Sequence, residues 1–278
     1  MYTPTGCKTL AESKEPQIRL GIQGFPGTGK TYSALTFSNP VVFNLDRGLG
    51  AHIGRTDVIE VPAYDMTFCK SVNPNHKDAT NLKDTIMLWL NKDGRKLEED
   101  QTLVFDGGTG LQNAYNKWID ANPIVTKGGS IDDRAPWRLK IAFFGDIMEL
   151  FKTLRCHVIY LCHENPKPDA SGDYTLGKIR PLLTGQFCDQ IVSHFTDWFR
   201  QHASDKPKDI NNPDDKLLKD FGMSKEEMKQ YCESLPRNTL YYWQTDSDSI
   251  FDGKCSSLIK FPKFIPANYD SFRKYMKK

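Results

Sequence analysis

The sequence predicts an α/β fold in which a mainly parallel central sheet is flanked by helices. Three observations carry that prediction. Short apolar runs, the mark of strands buried on both faces, recur at 18–22, 41–45, 102–105 and 157–162. Stretches of helical character separate them, which is the βαβ order of a parallel sheet. A glycine-rich turn joins the first run to the first helical stretch.

Taken in order, residues 1–16 read as a flexible lead-in and Ile18-Arg19-Leu20-Gly21-Ile22 as the first strand. Residues 30–38 have helix character until Asn39-Pro40 stops it. The runs 41–45 and 58–61 are strand candidates, and residues 80–92 carry Leu82, Ile86, Leu88 and Leu90 in a helical setting. Thr102-Leu103-Val104-Phe105 is a strand that ends at Asp106, followed by a helix near 110–120 and a loop over 122–135. Pro136 opens the clearest helix, with Trp137, Ile141, Phe144, Met148 and Phe151 spaced by three or four residues. Gly145 inside it costs about 1 kcal/mol relative to alanine, which predicts close packing at that point. After the strand at 157–162 the elements shorten: Tyr174-Thr175-Leu176, Asp197-Trp198-Phe199-Arg200 and Leu240-Tyr241-Tyr242-Trp243. Between the last two lies a polar insert, 203–237, whose helix opens with the capping box Ser224-Lys225-Glu226-Glu227. The chain thus divides into the lead-in, a core over 17–260 that contains the insert, and a basic-aromatic tail over 261–278.

Composition narrows the function. Of 278 residues, 37 are basic and 35 acidic, a net charge of +2, so any nucleic-acid surface must be a local patch. The 7 cysteines are scattered without a C-x-x-C pair, which argues against a disulfide framework or a zinc module and for reduced thiols in the cytoplasm. No apolar run approaches the roughly 18 residues of a membrane span, and the polar N-terminus does not read as a signal peptide.

Gly24-Phe25-Pro26-Gly27-Thr28-Gly29-Lys30-Thr31 matches G-x-x-x-x-G-K-[ST], between a predicted strand and a predicted helix. Glycines let the backbone turn several N–H groups onto a phosphate chain, and the helix N-terminus favours its negative charge. Residues 24–31 and the adjoining Tyr32 are therefore the ATP site, with Lys30 on the β- and γ-phosphates and the Thr31 hydroxyl on Mg²⁺. Asp106, at the C-terminal end of its strand, stands at the ligand-binding edge and is the second magnesium residue; capping the next helix is the plainer alternative. Gly107 and Gly108 follow it, so the base that activates water must come from elsewhere.

Asp46 is the best candidate for that base, because it ends the next strand; a turn aspartate is the alternative. His163 ends the 157–162 strand at the same edge, where it could sense the γ-phosphate or be an ordinary satisfied histidine. The loop 164–185 holds Lys167, Lys178 and Arg180, and the loop 122–135 holds Lys127; these are candidates for phosphate-backbone contacts or plain solvated charges. Lys254, on the turn Phe251-Asp252-Gly253-Lys254, could enter a neighbouring subunit's site or be a hairpin-turn lysine. The tail, with Phe261, Phe264, Tyr269, Phe272 and Tyr275 among lysines, reads either as a stacking grip on nucleic acid or as a docked amphipathic segment.

These motifs, with Lys178-Ile179-Arg180-Pro181-Leu182-Leu183-Thr184-Gly185, Tyr242-Trp243-Gln244-Thr245 and Gly253-Lys254, occur in an order that resembles phage-encoded, RecA-like P-loop ATPases of the AAA-domain type. The resemblance spans roughly residues 15–260. It implies a RecA-like core that binds ATP and single-stranded DNA, assembles as a homo-oligomeric ring or filament, and works in phage recombination or replication in the host cytoplasm, alongside a single-strand-binding protein. It also implies that the loops after Asp106 and His163 meet DNA and that Lys254 acts across the subunit interface. Such proteins commonly carry glutamate where this chain has Asp46. Two alternatives stand beside this reading. One is a nucleotide-gated scaffold or loader with little turnover, which the absence of a glutamate beside Asp106 favours. The other is a DNA-independent, kinase-like enzyme, which would need a lid of clustered arginines that the sequence lacks.

Overall fold

The computed structural model describes residues 17–46, 48–61, 82–121, 123–126, 128–132, 134–166, 178–183, 186–255 and 261–276. The strand at the chain's start is β1 (Arg19–Gly24), and the short helix α1 (Lys30–Ala34) follows the glycine-rich turn. Next come β2 (Pro40–Asn44), β3 (Ile59–Val61), α2 (Leu82–Lys92), β4 (Thr102–Asp106), α3 (Gly108–Ala121) and α4 (Ala135–Thr153). Then follow β5 (His157–Pro166), β6 (Ile179–Pro181), α5 (Gln186–Gln190), β7 (Asp197–Asp205), α6 (Asp215–Phe221) and α7 (Lys225–Ser234). β8 (Thr239–Gln244), β9 (Lys254–Cys255), β10 (Phe264–Pro266) and α8 (Tyr269–Met276) complete the described chain.

The sheet runs β10-β8-β7-β1-β5-β4-β2-β3, with β6 paired to β5 and β9 to β7. Its six central and far strands, β7-β1-β5-β4-β2-β3, are mutually parallel, whereas β8, β10, β6 and β9 are added antiparallel. The expected α/β fold with a mainly parallel sheet is what forms. Strand residues alternate between two cores: Leu103, Phe105, Val158 and Tyr160 point towards α3 and α4, while Val104, Ile159, Leu161, Leu20 and Ile22 point towards α1 and α8. Burial on both faces explains why these strands read as unbroken apolar runs. Parallel pairing also brings the C-terminal ends of β1, β2, β4 and β5 to one edge, with Gly24 beside His163 and Asn44 beside Asp106.

Several expectations need correction. The helix expected over 30–38 lasts only to Ala34, and the chain turns at Asn39, whose φ of 44° is left-handed. In α4 the core side chains are Phe143, Phe144, Ile147, Met148 and Phe151, whereas Trp137 is 46% exposed. The apolar stripe therefore starts a turn and a half later than its spacing suggests. Gly145 does not mark close packing, because a Cβ there would meet nothing within 4 Å. The expected strand at 174–176 lies outside the described residues.

The capping box forms in both directions: Glu227 N–H donates to Ser224 Oγ at 3.1 Å, and Ser224 N–H to Glu227 Oε2 at 2.9 Å. The helices of the insert enclose a small core of their own around Phe221, Met228, Tyr231, Cys232 and Leu235. Residues 261–276 are not a free grip on nucleic acid. Phe264 pairs into the sheet through β10, Phe272 is fully buried, and Phe261, Tyr269 and Tyr275 pack around it. The docked reading of that segment is the one that holds.

Candidate functional site

The phosphate loop leaves β1 at Gly24 and turns into α1 through Gly29, whose φ of 82° is left-handed. A glycine is needed there because an L side chain is strained in that conformation. Lys30 is buried and folds back into the loop, donating from Nζ to the Gly24 and Phe25 carbonyls, each at 2.9 Å. Thr28 Oγ1 donates to the Phe25 carbonyl at 2.8 Å and braces the same turn. Burial lowers the Lys30 pKa, while the nearby Asp106, Asp46 and Glu164 carboxylates work against that. The loop is thus closed around its own cation, and Pro26 and Gly27 form its outer rim, where both are exposed.

Two short networks converge on Lys30 and Thr31. His163 Nδ1 lies 3.3 Å from Lys30 Nζ, and its Nε2 lies 3.4 Å from Asp46 Oδ2. An ammonium can only donate, so Nδ1 is the acceptor and the ring proton sits on Nε2, facing Asp46. In the second network Thr31 Oγ1 donates to Asp106 Oδ2 at 2.7 Å. Burial pushes the Asp106 carboxyl up to about 6, with the Thr31 hydroxyl pulling the other way. The two networks touch through the turn after β4. A Cβ at Gly110 would collide with the Asp46 carboxylate, so this aspartate is seated against the start of α3 by the lack of a side chain.

His163 is held from behind. Its N–H donates to Thr109 Oγ1 at 3.0 Å, and its carbonyl accepts from Leu182 N–H at 2.7 Å. The histidine therefore ties the phosphate loop to α3 and to the segment that leaves β6.

The donor set fits magnesium. A hydroxyl and a carboxylate oxygen already meet, both hard ligands, and Gly48 lies against them without a side chain, where a Cβ would already be in contact at 3.4 Å from Thr31 Oγ1 and 3.5 Å from Asp106 Oδ2. Among the described residues no group of three or more acidic, histidine or cysteine side chains could hold a metal unaided. One carboxylate and one hydroxyl are the protein's share where the remaining ligands of an ion are substrate phosphates.

The remaining sequence candidates lie elsewhere or beyond view. Lys254, expected at a neighbouring subunit's site, donates from Nζ to the carbonyls of Ser193 and Phe195 within its own chain. Lys178 is paired with Asp252 at 2.6 Å, and Arg180 sits in β6 opposite Asn165. Lys127 and Lys167 fall outside the described residues. Sequence reasoning missed the buried ion pair between Glu164 and Arg200, in which Arg200 donates at 2.9–3.2 Å to both carboxylate oxygens. It also missed Tyr241, whose ring rests on Gly29. Glu164 directly follows His163, and Arg200 pairs in register with Gln23 of β1, so strand order alone could have placed them at this edge.

No helix among the described residues is long and apolar enough to cross a membrane. No curated protein matches the chain. Among solved structures it is similar to the assembled ATPase EscN in complex with its central stalk EscO, from the type III secretion system of enteropathogenic E. coli. That likeness has a TM-score of 0.35 and 9% identity, and it covers 66% of this chain and 42% of that one. Residues 17–234 match the family model described as an AAA domain. The match takes in the phosphate loop, both networks and the edge that carries them, and with it this nucleotide-binding P-loop protein belongs to the AAA-domain family.

Proposed function

We propose that the chain is a magnesium-dependent ATPase with a RecA-like core that acts on single-stranded DNA as a homo-oligomer, in recombination or replication of a phage and in the host cytoplasm. The observation that carries the catalytic part is the chain of contacts from Lys30 through His163 to Asp46, alongside the Thr31–Asp106 pair. Those groups are the parts that phosphoryl transfer needs: a cation for the β- and γ-phosphates, a metal-binding pair and a carboxylate aimed at the far end. On binding ATP, Lys30 exchanges the Gly24 and Phe25 carbonyls for phosphate oxygens. Asp46 orients the attacking water and accepts its proton, and the His163 N–H steadies the carboxylate until then. Thr31 and Asp106 would hold magnesium, which would supply positive charge against the charge developing on the phosphates.

His163 also offers the route to DNA. Its carbonyl accepts from Leu182, just beyond β6, which bounds the 164–185 loop with Lys178 and Arg180. A change at the γ-phosphate felt by His163 would reach that loop. The scaffold reading, with little turnover, keeps the support that no glutamate adjoins Asp106, and Asp46, the shorter acid, is already engaged by His163.

ATP hydrolysis by the purified chain, with and without single-stranded DNA at two salt concentrations, tests the proposal. Turnover should rise with DNA and the rise should fade with salt. Asp46→Asn should keep ATP affinity while losing roughly 10²–10⁴-fold in turnover. Turnover indifferent to DNA would overturn the DNA assignment. Full turnover in Asp46→Asn would move the base elsewhere.

A further inference from the structure

Tyr32, His52 and Tyr241 come from three separate parts of the chain and meet beside the first turn of α1. The Tyr32 ring lies 5.7 Å from Tyr241 and 6.4 Å from His52, centroid to centroid, and the Tyr32–His52 planes differ by only 27°. All three residues are half-buried. In this they differ from Phe199, Trp243 and Phe272 on the same side of the sheet, which are 0% exposed and close the core. The Tyr241 ring also lies directly on the phosphate loop, since a Cβ at Gly29 would stand 2.7 Å from two of its carbons.

We infer that Tyr241, with Tyr32 and His52, forms a stacking platform for the nucleobase, and that Tyr231 of the insert positions it. The inference rests on the nucleotide reading above. With the γ-phosphate end at Lys30, His163 and Asp46, the nucleoside leaves along the first turn of α1, where Tyr32 follows Thr31. A row of half-open rings at that exit offers π-faces to a π-face. Stacking of this kind is indifferent to the base's hydrogen-bonding edge, because every base has such a face.

The platform is held from outside the nucleotide site. Tyr231 Oη, on α7, donates to the Tyr241 carbonyl, and Ala267 N–H donates to the same oxygen at 3.1 Å. The insert thereby acquires a role: α7 fixes the height of Tyr241 above Gly29.

The test is calorimetric binding of ATP, GTP and base-free ribose 5′-triphosphate to the full chain and its variants, with folding checked by circular dichroism. ATP and GTP should bind the native chain more tightly than the base-free triphosphate by roughly 5- to 100-fold. Tyr241→Ala should remove that advantage equally for both nucleotides and leave the base-free ligand unchanged, whereas Tyr241→Phe should retain it. Tyr231→Phe should lose part of the advantage and nothing on the base-free ligand, a result that general loosening would not give. If Tyr241→Ala does not fold, His52→Ala makes the same measurement at the other end of the row. Equal affinity of the native chain for all three ligands would overturn the platform alone, as would an equal loss on all three in Tyr241→Ala. Failure to bind any triphosphate would overturn the nucleotide reading beneath it.

Discussion

Arg200 and Glu164 meet at the same sheet edge as the phosphate loop, with side chains only 10% and 1% exposed. Bringing two such ions out of water is costly, and their geometry offsets it: the guanidinium Nε and one terminal nitrogen both face the carboxylate, a forked arrangement that only arginine supplies. Arg200→Ala would leave Glu164 buried without a counter-charge, so it should destabilise the fold by about 3–5 kcal/mol. Replacing both, as Glu164→Leu with Arg200→Met, should recover most of that loss. Urea denaturation of the three proteins decides it; a single variant as stable as the native chain would mean the carboxylate finds another partner or water. The pair also shows what a one-dimensional reading omits. The phosphate loop is legible because its chemistry is contiguous, and Asp46, Asp106 and His163 because each directly follows an apolar run. Arg200 has no such marker: its partner lies 36 residues away, and only strand order brings them together.

Gly145 shows the same contrast for an element. α4 runs for 19 residues with Pro136 in its first turn; its existence is plain from the spacing of apolar residues and its start from that proline. What spacing did not give was which residues of the stripe touch the core, because that depends on where α3 and the sheet lie. Trp137 falls outside the contact, and the glycine expected to permit a close approach faces open space. Its cost to the helix is therefore uncompensated by packing. Gly145→Ala should stabilise the protein by about 0.5–1 kcal/mol, by restricting the unfolded chain without straining the helix. Thermal unfolding would show the gain as a raised Tm; an unchanged or lowered Tm would mean that something does approach this face. The short α1 reads oppositely. Its helical pattern runs on to residue 38, yet the chain stops at Ala34 and turns back at Asn39 so that β2 can enter beside β4. Tertiary pairing there overrides local propensity.

For the whole molecule, groups whose protonation differs between the folded and unfolded chain set how stability depends on pH. Burial disfavours the charged form of two histidines, His157 and His202. His157 accepts from Ile18 N–H through Nδ1 at 3.1 Å, and burial, with Arg19 and Arg273 nearby, lowers its pKa against a weaker pull from Asp100. His202 stacks on Tyr242, with planes 8° apart, and faces Gln244 Oε1 at 3.0 Å. Burial lowers its pKa too, with Arg200 adding to the effect and Gln244, Glu164 and Asp248 opposing it. Below the ordinary histidine value of 6.5 the unfolded chain takes up protons that these rings refuse, so each makes stability fall as pH falls. The slope is at most about 1.4 kcal/mol per pH unit for each ring. Asp106 acts in the opposite sense without metal or nucleotide: its folded value of about 6 stands above the ordinary 3.8, so protonation between them favours the fold. The histidine contribution is isolated by difference. His157→Asn keeps an acceptor for Ile18, and His202→Gln keeps a donor for Gln244, while neither titrates. Denaturation of the double variant and the native chain between pH 7 and 5 should therefore show a shallower decline, or a rise, for the variant, with Asp106 common to both. Parallel curves would mean that both rings are protonated in the native fold as readily as in the unfolded chain.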